Sequence, residues 1–163
     1  MDSLTFVPRS NTPRQAGAVT VEFALVAIFL MLIVAGIIEF GRAFWYLDAM
    51  TKATRDGARY LSTVPSSQLG SVGVPTAEAL VVAEVNDAGL IPQLATANVN
   101  VSCVPGGCQD VTAGNGTAPV YVTVAISGYP ITIGGMIPFF APGSEPVSYT
   151  RSLAPSTTMR YME

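Results

Sequence analysis

Glu22 is a carboxylate near the start of an apolar run that is long enough to cross a membrane. Sixteen residues without a charge separate it from the next carboxylate, Glu39, and Glu22 is the only charged residue within residues 18–38. At about 1.5 Å per residue, a helix over that run spans the roughly 30 Å hydrocarbon core of a bilayer. An ionised carboxylate in that core costs on the order of 3 kcal/mol. Glu22 therefore needs a cationic partner.

The residues around Glu22 resemble the processing site of prepilins and pseudopilins. Gly17 is followed by Ala18, Glu22 is the fifth residue after the glycine, and Phe23 comes next. In those proteins a membrane aspartyl peptidase cuts after the glycine, so the resemblance implies a new α-amino group on Ala18. Residues four apart lie one turn apart on one face of a helix. The ammonium of Ala18, in the same chain or a neighbouring subunit, could then balance the Glu22 carboxylate.

A longer segment, residues 17–62, resembles the TadE-like pseudopilins of tight-adherence (Tad) pilus systems. Besides the processing site, the matching residues form one group at the membrane exit and another further along the same helix: Glu39, Phe40, Gly41 and Arg42, then Asp56, Gly57, Ala58 and Arg59. The resemblance implies a minor pilin-like protein of the bacterial inner membrane that helps to assemble thin adhesive fibres. It implies a cytoplasmic N-terminus and, as partners, the membrane, a prepilin peptidase, other pilins or pseudopilins and the Tad assembly platform.

Three other interpretations of the apolar run remain open. It could be a cleavable secretory signal peptide, with Arg9 and Arg14 as its basic end, or a plain signal anchor that stays uncut. A buried core helix is disfavoured, because residues 23–38 lack an amphipathic pattern. The main alternative function is an uncleaved, membrane-anchored extracytoplasmic scaffold or binding protein. The positive-inside rule gives no orientation, since Arg42 and Lys52 follow the run closely.

The composition argues against an enzyme and against nucleic-acid binding. The chain has no histidine, which excludes His-based triads and His metal sites. Lys52, the base available to an anchored hydrolase, lies on the stalk with no serine motif near it. A net charge of −3, with eight scattered Lys and Arg residues, does not form a nucleic-acid patch. We expect no catalytic residue, cofactor, metal, nucleic acid or small-molecule substrate.

The whole sequence predicts an α+β protein, in which a small antiparallel, β-rich extracytoplasmic domain with one short helix follows a long N-terminal helix. The first half of the long helix is expected to be transmembrane. We expect a leader over 1–17, a transmembrane and stalk helix over 18–62, a linker over 63–76 and an outer domain over 77–163.

Two patterns describe the stalk after the apolar run. Spacings of three and four continue the helix through an apolar stripe of Phe40, Ala43, Phe44, Leu47, Met50, Thr54, Ala58 and Leu61. The stripe is expected to pack against the chain's own domain, between subunits, or both along different parts. Phe44, Trp45 and Tyr46 indicate an interfacial aromatic anchor.

In the outer domain, one segment has the apolar spacing of a helix and three segments have the alternation of strands. Apolar spacing predicts a short helix over 77–88 with Thr76 as a cap and Gly89 as its stop. Alternation predicts strands in 98–104, 120–126 and 145–154, and residues 129–143 are expected to be a loop. Cys103 and Cys108 enclose four residues of turn type and are expected to form a disulfide across a hairpin end, with two thiols as the alternative. A disulfide would place the domain in an oxidising compartment.

Overall fold

The computed structural model describes residues 16–112, 116–134 and 148–162. It divides the chain into two units, Met1–Ile37 and Ile38–Glu163. The first described element is a helix of 46 residues, α1 (Ala16–Leu61). Within the first unit, no residue in the most apolar stretch of α1 is buried. By length and composition, α1 is the one helix among the described residues that is able to cross a membrane.

The second unit is the α+β part that the sequence predicts. After α1 come a 3-10 turn (Ser66–Gln68), a π-helical turn (Leu69–Gly73), α2 (Val74–Asp87) and a 3-10 turn (Thr96–Asn98). The strands are β1 (Val99–Val104), β2 (Tyr121–Ile126), β3 (Tyr129–Ile133), β4 (Tyr149–Leu153) and β5 (Ser156–Arg160). They form a three-stranded sheet in the order β1-β2-β5 and a two-stranded sheet of β3 and β4, with antiparallel pairing throughout.

The core of this unit is formed by the inner face of the larger sheet, one face of α2 and one face of α1. The alternation predicted for the first two strands is confirmed, because Cys103 pairs with Val122 and Val101 with Val124 on the inward face. Buried residues come from the sheet (Val99, Cys103, Val122, Val124 and Ile126), from α2 (Ala77, Val81 and Val85) and from α1 (Met50, Ala53, Ala58 and Leu61). Each fully buried Val or Leu side chain contributes about 1.5–3 kcal/mol relative to an exposed one.

Two strands lie where the sequence did not predict them. β3 falls in residues expected to be a loop, and its Pro130 is exposed on a strand that pairs only with β4, a position where the missing N–H costs little. β5 is mostly polar and half exposed, so no alternation marks it, and its pairing with β2 makes it a strand. The predicted strand over 145–154 begins at Tyr149 among the described residues. Residues 145–147, and the predicted loop from 135 to 143, lie outside them.

Residues 63–76 differ from the linker that their Gly, Ser and Pro content suggested. Residues 66–73 form the two helical turns that precede α2, residues 74–76 already belong to α2, and Leu69 is fully buried. α2 begins at Val74, ahead of the expected Thr76 cap, because Pro75 occupies the first turn, where no N–H is needed. The helix ends as expected, before Gly89, whose φ of 76° is left-handed.

The apolar stripe predicted for α1 divides into a buried set and an exposed set of residues. Met50, Thr54, Ala58 and Leu61 are fully buried in the domain, whereas Phe40, Phe44 and Leu47 are exposed. Tyr46, which the sequence placed in the aromatic anchor, is only 7% exposed and belongs to the core, whereas Trp45 is 60% exposed. Near a membrane exit apolar residues surround the whole helix, so their spacing alone does not identify the face that meets the domain.

Cys103 and Cys108 form a disulfide in the structure, with their Cα atoms 5.0 Å apart. The chain turns between them at Gly106 and Gly107, with φ values of 86° and 83° that glycine adopts without strain. The disulfide closes a tight loop at the end of β1.

Asp110 fastens this loop to the helical turns that follow α1. Its Oδ1 accepts hydrogen bonds from the backbone N–H groups of Gly70 (2.7 Å) and Ser71 (3.0 Å). Those hydrogen bonds hold the pKa of the Asp110 carboxyl below its usual value, and the bond from Ser71 has the largest effect. A further bond runs from the N–H of Val111 to the carbonyl of Ser66 at 2.9 Å.

Gly57 allows α1 to approach α2 closely. A Cβ at this position would lie 2.7 Å from Cγ2 of Val81 and 3.6 Å from Cγ1 of Val124, and both valines are fully buried. Gly57→Ala is therefore expected to lower the free energy of unfolding by about 1 kcal/mol, since overpacking outweighs the gain in helix propensity. Thermal unfolding of the solubilised protein, followed by circular dichroism, measures this.

The control is Gly41→Ala on the same helix, where a Cβ would meet nothing within 4 Å. It should leave stability unchanged or raise it. Equal melting temperatures for the two variants would contradict the close contact at Gly57.

Candidate functional site

The predicted exit motif forms an ion pair on α1. Arg42 Nη2 lies 2.9 Å from Glu39 Oε2, and the Glu39 side chain is only 3% exposed, compared with 24% for Arg42. A buried carboxylate is costly unless it is paired and hydrogen-bonded, and Arg42, three residues away on the helix, meets that need. The other two residues of the motif are exposed: Phe40 at 54%, and Gly41 with open space at its Cα.

Arg42 also connects the helix to the smaller sheet. The same Nη2 donates a hydrogen bond of 2.6 Å to the carbonyl oxygen of Thr132 in β3. The guanidinium carbon lies 5.8 Å from the centre of the Tyr46 ring, within the range of a cation–π contact. Among the residues that the structure describes, the buried Nε of Arg42 has no hydrogen-bond partner. One arginine thus neutralises Glu39 and fixes β3 on the helix.

Two tyrosines extend this arrangement, which we call the exit network (Glu39, Arg42, Tyr46, Tyr129 and Thr132). The rings of Tyr46 and Tyr129 meet edge to face, with their centroids 6.3 Å apart. The Tyr129 hydroxyl donates to the carbonyl of Pro92 at 2.6 Å, and the Tyr46 hydroxyl accepts from the N–H of Ile91 at 3.3 Å. The network therefore joins α1, β3 and the loop after α2.

The stalk motif has a different arrangement, with small residues inside and charges outside. Gly57 and Ala58 face the core, whereas Asp56 and Arg59 are exposed. This is the pattern that lets another helix pack closely on one side while the charged side stays in water. The motif therefore sets the spacing between α1 and α2.

A groove of about 330 Å³ runs between α1 and α2 within the second unit. Its wall includes Trp45 and three carboxylates, Asp48, Asp56 and Glu84, with Lys52 paired to Asp48 at 2.6 Å on the surface. Burial, followed by the nearby charge of Asp56, raises the pKa of Glu84. The lining has no Ser, Thr or Cys nucleophile. Among the described residues, no group of three or more Cys, Asp or Glu could hold a metal ion.

The predicted processing residues lie in the first turns of α1, in the other unit. Gly17, Ala18, Glu22 and Phe23 are all exposed, Phe23 at 72%. Because α1 begins at Ala16, the Gly17–Ala18 bond lies within the helix, and Ala18 and Glu22 are one turn apart along it. The Glu22 carboxylate therefore projects from a helix whose other side chains in this unit are apolar or small.

Sequence reasoning did not find three members of the exit network. Tyr46 was assigned to the membrane anchor, and Tyr129 and Thr132 to a loop. The signal available was the segment YPITI of β3, in which Tyr129 and Ile131 alternate with exposed or half-exposed residues. Pro130 within it argued against a strand.

The exit network gives a prediction for Arg42. Arg42→Leu would leave Glu39 buried without its cation, so we expect the free energy of unfolding to fall by about 3 kcal/mol. Lys52→Leu is the matched control, because it breaks the pair with Asp48, whose side chains are 67% and 60% exposed. An exposed pair of this kind contributes about 0.5 kcal/mol. Denaturant unfolding of both variants measures the two losses in free energy of unfolding. Equal losses would show that the buried pair of Glu39 and Arg42 stabilises the protein no more than the exposed pair does.

Tyr129 gives a pH dependence. The pKa of Tyr129 is raised from 10.0 to about 12, mainly by burial of its side chain. The neighbouring Tyr46 contributes a smaller increase to this pKa, and the positive charge of Arg42 lowers it. The contribution of the neutral phenol is complete below pH 10 and is lost as the pH rises toward 12, because the unfolded chain ionises first. We expect the free energy of unfolding to fall across this interval. Tyr129→Phe should flatten the fall, and a slope equal to that of the unaltered protein would contradict the assignment.

Comparison with known protein families supports the resemblance that these motifs indicate. A family model described as TadE-like protein matches residues 17–59. No curated protein and no solved structure gives a match. The family indicates association with the Tad pilus system, and it is not an enzyme family. The match starts at Gly17, ends at Arg59, and includes the exit and stalk motifs. Over residues 17–59 the chain is therefore TadE-like, as its motifs predicted.

Proposed function

We propose that this chain is a pilin-like membrane protein, a pseudopilin, that assists the assembly of Tad-type adhesive pili. A prepilin peptidase cuts it after Gly17. The mature protein stays in the bacterial inner membrane through the first part of α1, with the N-terminus in the cytoplasm and the outer domain in the periplasm or outside the cell. Other pilins or pseudopilins and the Tad assembly platform are its partners.

The observation that carries the proposal is the exposed Glu22 on the apolar part of α1. The family match gives the class of protein, and Glu22 gives the chemistry. Cutting after Gly17 would place an ammonium on Ala18, one turn before the carboxylate. In hydrocarbon that pairing offsets a cost of about 3 kcal/mol for the charge. The same pairing with Ala18 of a neighbouring subunit would hold two helices in register.

Two features of the second unit agree with the proposed orientation. A disulfide between Cys103 and Cys108 is stable where the compartment is oxidising, which is outside the cytoplasm. The side chains of the exit network are paired within the chain itself, so Glu39 is not an unpaired buried carboxylate at the end of the apolar run.

The test of processing is the mass of the N-terminal peptide of the mature protein, isolated from membranes of the native organism. We expect a peptide that begins at Ala18 in the unaltered protein and an uncut precursor in Gly17→Leu. Gly36→Leu is the matched control, because both glycines lie on the apolar helix with nothing within 4 Å of a built Cβ. A native peptide that begins at Met1 would instead support an uncleaved membrane-anchored scaffold or binding protein.

The same native strain, counted for pili by electron microscopy, tests the role of Glu22. Glu22→Ala should still be cut but should lose fibre assembly, because the ammonium of Ala18 no longer has a carboxylate to pair with. Glu22→Gln keeps the size and loses the charge, so it should fail in the same way. Normal pilus counts in Glu22→Gln would show that the charge pairing is not needed.

A further inference from the structure

We propose that the loop after α2, with Ile91 at its tip, inserts into the headgroup region of the same bilayer that α1 crosses. The outer domain would then contact the membrane through Ile91 and Trp45 as well as through its helix. This inference rests on the proposed function only in requiring that α1 spans a membrane. The partner is a lipid surface.

Two hydrogen bonds hold the loop against α1 close to the membrane exit. Trp45 Nε1 donates to the carbonyl of Ala88 at 3.4 Å, and the N–H of Ile91 donates to the Tyr46 hydroxyl at 3.3 Å. Trp45 lies six residues after Glu39, which is a rise of about 9 Å. Side chains on a helix lean toward its N-terminal end, so the Tyr46 hydroxyl, and Ile91 with it, is expected on the membrane side of the Tyr46 Cα.

Four large apolar side chains in the first turns of α1 within the second unit and in the loop after α2 are exposed. Ile91 is 77% exposed, Phe44 69%, Trp45 60% and Phe40 54%. In water, such a set of exposed large apolar side chains is unfavourable and marks an interaction surface. The charges of Glu39 and Arg42 are paired with each other, and those of Asp48 and Lys52, in the groove beside Trp45, are paired as well.

The Cα of Trp45, about 9 Å beyond Glu39, lies just outside the headgroup region, and its side chain, which leans toward the N-terminal end of the helix, reaches back into that region. The headgroup region adds about 5–8 Å on each side of the hydrocarbon core, and the apolar run of α1 ends just before Glu39. Tryptophan is enriched at that depth because its ring is apolar while its N–H remains polar. The Trp45 N–H meets a carbonyl of the loop itself, which ties the position of the loop to that of the ring.

The chain has one tryptophan, so fluorescence can report one position at a time. The experiment compares two variants of the full chain in vesicles of phosphatidylcholine and phosphatidylglycerol. In the first, Trp45→Phe is combined with Ile91→Trp; in the second, Trp45→Phe is combined with Val104→Trp. Both variants lose the Trp45 bond to Ala88 and keep the bond from the N–H at position 91 to the Tyr46 hydroxyl, which holds the loop in the test. Val104 is 59% exposed but ends β1 beside the disulfide loop, which is bound to the turns beyond the far end of α1. Acyl chains brominated near the headgroup quench tryptophan in the membrane, and iodide quenches tryptophan in water.

We expect the tryptophan at position 91 to emit at shorter wavelength than the one at 104, to lose emission in brominated vesicles and to resist iodide. The tryptophan at 104 should behave in the opposite way. Quenching of both positions by iodide alike would overturn the inference. So would a position 91 protected from both quenchers, which would indicate a second protein copy in place of lipid.

Flotation of the vesicles in a density gradient separates this inference from the membrane anchor. Protein that floats, with position 91 open to iodide, overturns only the contact of the loop. Protein that does not float overturns the membrane anchor and this inference together. Unchanged far-ultraviolet circular dichroism and the same thermal transition in both variants show that the substitutions have left the fold intact.

Discussion

The buried pair of Glu39 and Arg42 is the contact on which the arrangement of the second unit depends, because it lies where the charge-free run of α1 ends and the folded second unit begins. A carboxylate that is 3% exposed requires a cation, and the nearest one on the same helix is Arg42. That arginine then has a second hydrogen bond available, which it gives to β3. The pairing of Arg42 with the Glu39 carboxylate therefore also determines that β3 lies against this part of α1.

The rest of the domain is assembled around α1 by contacts further along it. Gly57 lets α2 approach, the Thr54 hydroxyl meets the Thr157 hydroxyl of β5 at 3.1 Å, and the N–H of Met162 donates to the carbonyl of Ser62 at 3.0 Å. Elements far apart in sequence thus converge on one helix. In a protein of modest size, using one helix as the shared core element reduces the number of separate packing surfaces that must be covered.

The two proposals depend on different parts of this helix and on different chemistry. Pairing at Glu22 is electrostatic and belongs to the apolar environment of the first unit, where a charge has few alternatives to a protein partner. Contact of Ile91 with lipid depends on exposed apolar area and on the loop being held by Trp45 and Tyr46. In the proposed role, the first would serve interaction with other subunits, whereas the second would restrict how the outer domain is presented at the membrane surface.

The sequence by itself determined the class of the protein and the length of its helix. The charge-free run is a local feature that bilayer thickness and helix rise convert directly into a structural expectation. Gly17 and Glu22 at their spacing, with the exit and stalk motifs, are local features that carry the resemblance to the TadE-like family. The alternation in β1 and β2 was equally readable, because one face of each strand is buried.

Only the tertiary structure decided which face of α1 meets the domain, that Tyr46 is a core residue, that residues 66–73 form helical turns, and that β3 and β5 are strands. Apolar residues around the end of the charge-free run point in every direction, so their spacing could not separate the exposed face from the face in the core. Leu69 is buried by elements remote in sequence, and β5 becomes a strand by pairing with β2 rather than through its own composition. These outcomes depend on contacts between distant residues, and a local pattern has no means of recording them.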